Sequence, residues 1–208
     1  MGNLYPIYVN LSEKIVVIVG GGKIAERKLC SLIDSGARLE LVSPELTDVL
    51  EILAQDNVFT WKKKRFEPED IEHATFVFAA TNDRNINQFV KASARENQLV
   101  SLIDNPDHSD FHIPATVKRG KLSLAISTSG ASPLLAKKIK QQLEQLFDDR
   151  YDDYIEFLYE ARITILAKVK DPLKKHQLLS TIVSDDYLDS NSRWEDFQHL
   201  LKKEMIDF

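Results

Sequence analysis

A chain of 208 residues, 43% apolar, with 27 basic against 32 acidic side chains, is long enough to bury one sizeable core and a smaller second one, which excludes a disordered or fibrous protein. A net charge of −5 and a pI near 5.6 give no global attraction to nucleic acid or to an anionic membrane, so neither is an expected partner and an anionic ligand would have to be met by local basic clusters. A lone cysteine, Cys30, excludes an internal disulfide. The first six residues lack a signal-peptide pattern and the longest apolar run, Ile15 to Val19, is far too short for a membrane helix, so a cytoplasmic protein is expected.

Up to about residue 113, short β-branched runs alternate with segments of helical period, the pattern of a Rossmann-like, doubly wound α/β sheet with parallel strands. The strands are predicted at Lys14 to Val19, Arg38 to Ser43, Val58 to Lys63, Thr75 to Ala80 and Leu99 to Ile103. Between the first two, Ala25, Leu29, Leu32 and Ile33 make one helical face, with Gly36 placed to cap it and Cys30 expected to pack as a small hydrophobe. Helices over Glu45 to Gln55 and Asn85 to Asn97 supply further crossovers.

After Pro114 the pattern changes. Ala115 to Lys118 and Lys121 to Ser127 flank Arg119-Gly120 as a hairpin, and from Pro133 onward the period is helical, with stripes Leu135, Ile139, Leu143, Leu146; Tyr154, Leu158, Ala161, Ile165; and Trp194, Phe197, Leu201. The division expected is a nucleotide-binding domain over 1–113, a hairpin and helix over 114–147 that packs against a second copy, and a helical module over 148–208.

Three of the seven glycines stand together at Gly20, Gly21 and Gly22, followed by Lys23, Ile24 and Ala25, which satisfies G-x-G-x-x-A directly after a strand and at a helix start. That turn brings bare backbone and helix-terminal amides to a pyrophosphate. A carboxylate for the adenine ribose is not cleanly present: Glu40 alternates with Leu39 and Leu41, so the strand end at Ser43 and Pro44, with Glu45 beyond, is left to border the ribose, and NAD against NADP stays open at this level. Thr81 and Asn82 end the fourth strand at the carboxyl edge, where they border a cofactor; Asn82 or Asp83 would also serve to cap the next helix. Asp104 ends the fifth strand at the same edge, suited to take or steer a proton, or to make an Asx turn before Pro106. Ser127, Thr128, Ser129, Gly130 and Ser132 lead into a helix with Ser132 as its cap and Pro133 as its first residue. With Lys137, Lys138 and Lys140, and Lys118, Arg119 and Lys121 on the hairpin, this loop reads either as a carboxylate cradle or as an ordinary capped helix with a solvated basic face. Lys62 to Arg65 reads as a solvated edge, and no dedicated metal site is expected, since His108 and His112 lie in a loop with no helix to align them.

The strings Val19 to Lys28, Ala79 to Asn82, Ile103 to Pro106 and Ser127 to Pro133 together resemble the precorrin-2 dehydrogenase family of siroheme biosynthesis, over about residues 4 to 147. The resemblance implies NAD-dependent oxidation of the tetrapyrrole precorrin-2 to sirohydrochlorin by a homodimer, with Asp104 at the position of the family's active-site aspartate. Thr128 stands where relatives fused to a methyltransferase carry serine; no methyltransferase domain follows within these residues, so the stand-alone form is the one resembled. Two alternatives accompany this reading: an enzyme that also inserts a metal ion into sirohydrochlorin, and a non-catalytic NAD-sensing module.

Overall fold

The five β-branched runs form one wholly parallel sheet of β1 (Ile15–Val19), β2 (Arg38–Val42), β3 (Thr60–Lys62), β4 (Phe76–Ala79) and β5 (Leu99–Leu102), in the order β3-β2-β1-β4-β5. The computed structural model describes residues 4–206 and divides into two units, one ending at Ile113 and one beginning at Pro114. Strand alternation sends Val16 and Ile18 to one face of the sheet, where α1 (Lys23–Cys30) and α2 (Asp48–Gln55) bury Ala25, Leu29 and Leu50 against them. Val17 and Val19 go to the other face, where Val90 of α3 (Arg84–Ser93) packs. Because the chain runs outward from β1 through β2 to β3 and then returns to place β4 on the other side, the order reverses between β1 and β4, and their carboxyl ends border the crevice where open α/β sheets take ligands.

Several boundaries differ from the sequence reading. The first helix stops at Cys30 and Leu32 and Ile33 belong to a following turn, so Leu32 is buried while Ile33 is exposed. Cys30 is exposed as well: one residue past the buried Leu29 rotates it off the packed face. α2 starts at Asp48, since the Thr47 hydroxyl accepts from the Leu50 amide and caps it there. α3 ends at Ser93, four residues before the expected end. β3 shrinks to three residues at the sheet edge.

In the second unit β6 (Ala115–Arg119) and β7 (Leu122–Ile126) pair antiparallel with Arg119 opposite Leu122, so the turn is Gly120-Lys121 and not Arg119-Gly120. The reason is local: Gly120 adopts φ 51°, the left-handed conformation that the first position of a tight hairpin turn demands. The hairpin packs on α4 (Pro133–Leu146) and also on α5 (Arg150–Lys168) of its own chain. α6 (Pro172–Thr181), α7 (Asp185–Asp189) and α8 (Arg193–Ile206) close on α5 around Phe157, Ala161, Ile165, Leu178 and Phe197, all nearly or wholly buried. Trp194 stays partly exposed at the rim of this core.

Tyr154 ties the helical core to the α6–α7 connection. Its hydroxyl donates to the Ile182 carbonyl at 2.9 Å and accepts from the Ser184 amide at 3.1 Å, and burial pushes its pKa up. Tyr154→Phe leaves both backbone groups without that partner and is expected to lower the stability of this unit by about 1–3 kcal/mol, read as a fall in the thermal midpoint. An unchanged midpoint would show that water replaces the phenol at no cost.

Candidate active site

The turn after β1 is shaped by what crowds it. Gly20 has φ 124°, and a Cβ there would overlap the Ala80 carbonyl at the end of β4; one on Gly21 would overlap the Glu45 carbonyl and stand 2.7 Å from Ser43 Oγ. Gly22 differs: a Cβ there meets nothing within 4 Å. The first two glycines are thus dictated by the neighbouring strand ends, while the third keeps an open approach bare. Gly22 is the N-cap of α1 and offers no side-chain cap, so the first-turn amides, those of Lys23 and Ile24 among them, have neither an intrahelical acceptor nor a capping oxygen. Ala25, at the motif's last position, is wholly buried against the strand. Bare backbone, open space and unpartnered amides fit the pyrophosphate of a dinucleotide.

Around this turn Glu26 is a fixed point. It accepts from the Thr47 hydroxyl at 2.6 Å and from Lys23 Nζ at 3.0 Å, and these bonds, the threonine's foremost, hold its carboxyl below the usual range. Lys23 is therefore tethered on the helix surface, and Ile24 packs partly into the first core. Ser43 is buried and its hydroxyl donates to the Glu45 carbonyl at 2.7 Å, whereas Pro44 and Glu45 are exposed beside the turn. Lys28 lies 5.9 Å from the centre of the Phe78 ring; burial, with neighbouring Arg27, pushes its ammonium below the ordinary lysine range. Glu40 faces away from the turn, 2.7 Å from Lys62 Nζ.

At the end of β4, Asp83 is the cap of α3, accepting from the Asn85 amide at 2.8 Å, which leaves Asn82 exposed at the carboxyl edge. Thr81 is held by Asn87, a buried residue of α3 that sequence reasoning overlooks. Asn87 Oδ1 accepts from the Thr81 amide at 3.1 Å and lies 2.8 Å from its hydroxyl, while Asn87 Nδ2 donates to the Thr81 carbonyl at 3.1 Å and to Asp104 Oδ1 at 3.0 Å. The signal was present: Asn87, Val90 and Ala94 share one helical face, so a polar residue stands on a buried stripe. Asp104 itself is exposed, and its carboxylate is engaged by this distant amide.

The chain beyond Asp104 folds back along β5. Ser109 Oγ accepts from the Leu102 amide at 2.8 Å, and Asp110 Oδ2 accepts from the Val100 amide at 2.8 Å while Lys91 pairs with it. Phe111 then wedges edge-on against Phe76 and Phe78. His112 Nε2 sits 3.0 Å from the Pro106 carbonyl, and among the described residues no group of three or more His, Cys, Asp or Glu side chains gathers as a metal site.

In the second unit the loop before α4 spends most of its hydroxyls on itself. Ser127 Oγ accepts from the Ser129 amide, Thr128 Oγ1 accepts from the Ser132 amide and lies 3.1 Å from the Ser132 carbonyl, and Ser132 Oγ caps α4 through the Leu135 amide. Ser129 holds φ 48°, a left-handed conformation that serine seldom adopts, and Ser129, Gly130 and Lys137 are exposed. Three of the basic residues grouped with this loop are used elsewhere, Lys140 lying 3.5 Å from the Glu144 carboxylate on its own helix. Arg119 lies against the Glu144 carbonyl and 3.5 Å from Asp149, and Lys121 pairs with Glu156 over the Tyr159 ring. The Lys62 to Arg65 run is likewise not simply solvated, since Lys64 lies 3.1 Å from the buried Asp70 carboxylate.

Comparison with known proteins places these features in a family. Residues 7–115 match a family model described as NAD(P)-binding, residues 119–146 one described as the central part of a sirohaem biosynthesis protein, and residues 151–197 one described as the SirC C-terminal domain. The precorrin-2 dehydrogenase of Priestia megaterium is 36% identical over 96% of this chain and 99% of its own, and that of Bacillus subtilis 35% over 76% and 98%. A siroheme synthase of Aeromonas salmonicida is 34% identical over 88% of this chain but only 39% of its own length. The solved structure of SirC, a precorrin-2 dehydrogenase, superposes with a TM-score of 0.84 at 36% identity over 96% of this chain and all of that one. A parallel five-stranded sheet with a bare glycine turn at its order reversal, joined to a helical module that matches SirC, makes this chain a member of the precorrin-2 dehydrogenase family.

Proposed function

We infer that this chain is an NAD-dependent oxidoreductase that converts precorrin-2 to sirohydrochlorin in siroheme biosynthesis. The observation that carries the reading is the Gly22 opening: bare backbone and uncapped helix amides at the switch point of a sheet whose relatives over nearly the full chain are precorrin-2 dehydrogenases. In the balanced reaction the substrate gives up a hydride and a proton, yielding NADH and H⁺. The chemistry that bound NAD supplies is acceptance of the hydride. The residues assigned to holding it are Gly20, Gly21 and Gly22 with the amides of Lys23 and Ile24 at the pyrophosphate, Ser43 and Pro44 at the ribose, and Thr81 and Asn82 along the carboxyl edge.

Asp104 is assigned to the proton, as an exposed carboxylate already oriented by a neutral donor. Ser127, Thr128, Ser129, Gly130, Ser132 and Lys137 are assigned to the substrate's carboxylates; with the Thr128 and Ser132 hydroxyls engaged in the loop, direct donation falls to Ser129, to loop amides and to Lys137. A homodimer is part of this reading, because α4 leaves Leu134, Leu135 and Leu146 exposed beside the hairpin. Sedimentation at the monomer mass would refute that element. The location assigned is the cytoplasm, where the exposed Cys30 thiol would stay reduced; fractionation with an extracytoplasmic marker would overturn it.

The experiment is an anaerobic assay of purified protein with precorrin-2 and NAD, following NADH and the tetrapyrrole spectrum together. Equal formation of NADH and sirohydrochlorin is expected. NAD binding without turnover would instead identify a sensing module.

A further inference from the structure

Asn87 has a side chain buried to 1% exposure on α3, and its four hydrogen-bonding positions are divided between two residues at the ends of different strands: three face Thr81 after β4 and one faces Asp104 after β5. A buried amide so fully satisfied cannot turn without leaving several polar groups unpaired. The exposed Asp104 carboxylate thereby has one oxygen held by an immobile donor. The same amide grips the amide, hydroxyl and carbonyl of Thr81, so the two strand ends are kept in fixed register by one side chain. Nothing in packing demands asparagine here, since the face it shares with Val90 is otherwise apolar.

We propose that Asn87 is a positioning residue for dehydrogenation: it orients the Asp104 carboxylate and locks its placement to Thr81 at the cofactor edge. This rests on the assignment of the proton to Asp104. Misplacing a reacting group by about 1 Å costs on the order of 100-fold in rate, so loss of the amide acts on turnover more than on cofactor binding.

The test is a double-mutant cycle in the full-length protein, with kcat from the anaerobic precorrin-2 assay, the KM for NAD and the thermal midpoint measured for each variant. Asn87→Ser is expected to lower kcat about 10- to 100-fold with the KM for NAD changed less than about threefold, and to add less than about threefold to the loss in an Asp104→Asn background. Asn87→Asp serves as the second variant. It keeps the shape and the acceptor toward Thr81, loses the donor shared by the Thr81 carbonyl and Asp104, and in the Asp104→Asn background regains the contact with residue 104, with donor and acceptor exchanged, though not the one with the Thr81 carbonyl; its kcat penalty is expected to be at least about threefold larger against the native Asp104 than in that background. Equal losses in both backgrounds, or a fall in thermal midpoint with kcat intact, would overturn the proposal. So would failure of both variants to fold in either background, which would make Asn87 a fold residue alone. Full turnover by Asp104→Asn on its own marks a different failure, that of the proton assignment.

Discussion

Gly22→Val is expected to weaken dinucleotide binding at least about 100-fold in a chain that still folds, whereas Gly21→Ala, a smaller change one residue earlier, is expected to damage the fold itself. The contrast follows from what each added carbon meets. At Gly21 it would overlap the Glu45 carbonyl and press on Ser43 Oγ, backbone and buried side chain that have nowhere to go, and such overpacking costs roughly 1–3 kcal/mol or more. Gly20→Ala adds left-handed strain of about 1–2 kcal/mol to a similar overlap with Ala80. At Gly22 the backbone has φ −86°, which any residue accepts, and the new side chain enters open space. Only the helix cap suffers, by about 1 kcal/mol. That open space is the one assigned to the pyrophosphate, so the affinity for NAD is expected to fall at least about 100-fold, or ~2.7 kcal/mol. Calorimetric titration with NAD beside a thermal melt reads both effects, and native affinity in Gly22→Val would remove the glycine turn from the binding site.

Asp104→Asn is expected to cut turnover about 10²- to 10⁴-fold, the usual worth of a positioned proton acceptor, while NAD binds as before. The substitution is nearly isosteric, and an amide oxygen at the Oδ1 position still accepts from Asn87, so the strand ends keep their tie and the melt should not move. What is lost is the capacity to take a proton. The exposed position of Asp104 implies little cost to the fold from the exchange. Single-turnover kinetics with precorrin-2 separate the chemical step from binding, and an unaltered rate in that step would confine Asp104 to holding substrate.

The parts of this molecule legible from sequence are those where one local rule acts alone. β1, the glycine turn and α1 are readable because a strand, a turn that admits no side chains and a helix with Ala25 and Leu29 inward must follow one another at fixed spacing. β2 and β5 are readable because short apolar patterns, Leu39, Leu41 and Val42 in one and Val100 and Leu102 in the other, are buried in the sheet. The places that sequence renders poorly are those decided by a partner far along the chain. Arg119 looks like a free basic residue on a hairpin until the Glu144 carbonyl and Asp149 claim it, and Lys64 looks solvated until Asp70 is buried beside it. Asn87 is the sharpest case, since its amide matters only once β4 and β5 lie side by side and bring Thr81 and Asp104 within reach of one side chain.

The side chains that cover β5 have an effect beyond the strand they cover. An outermost strand ordinarily offers a row of unclaimed amides and carbonyls to any other extended chain it meets, and that is how sheets grow from one molecule into the next. Here Ser109 and Asp110 take the Leu102 and Val100 amides, and the Asp110 amide takes the Val100 carbonyl. Along this border the sheet is therefore finished by its own loop: a crowded solution of the enzyme, or a nascent chain emerging beside a folded one, finds no template there on which to polymerise.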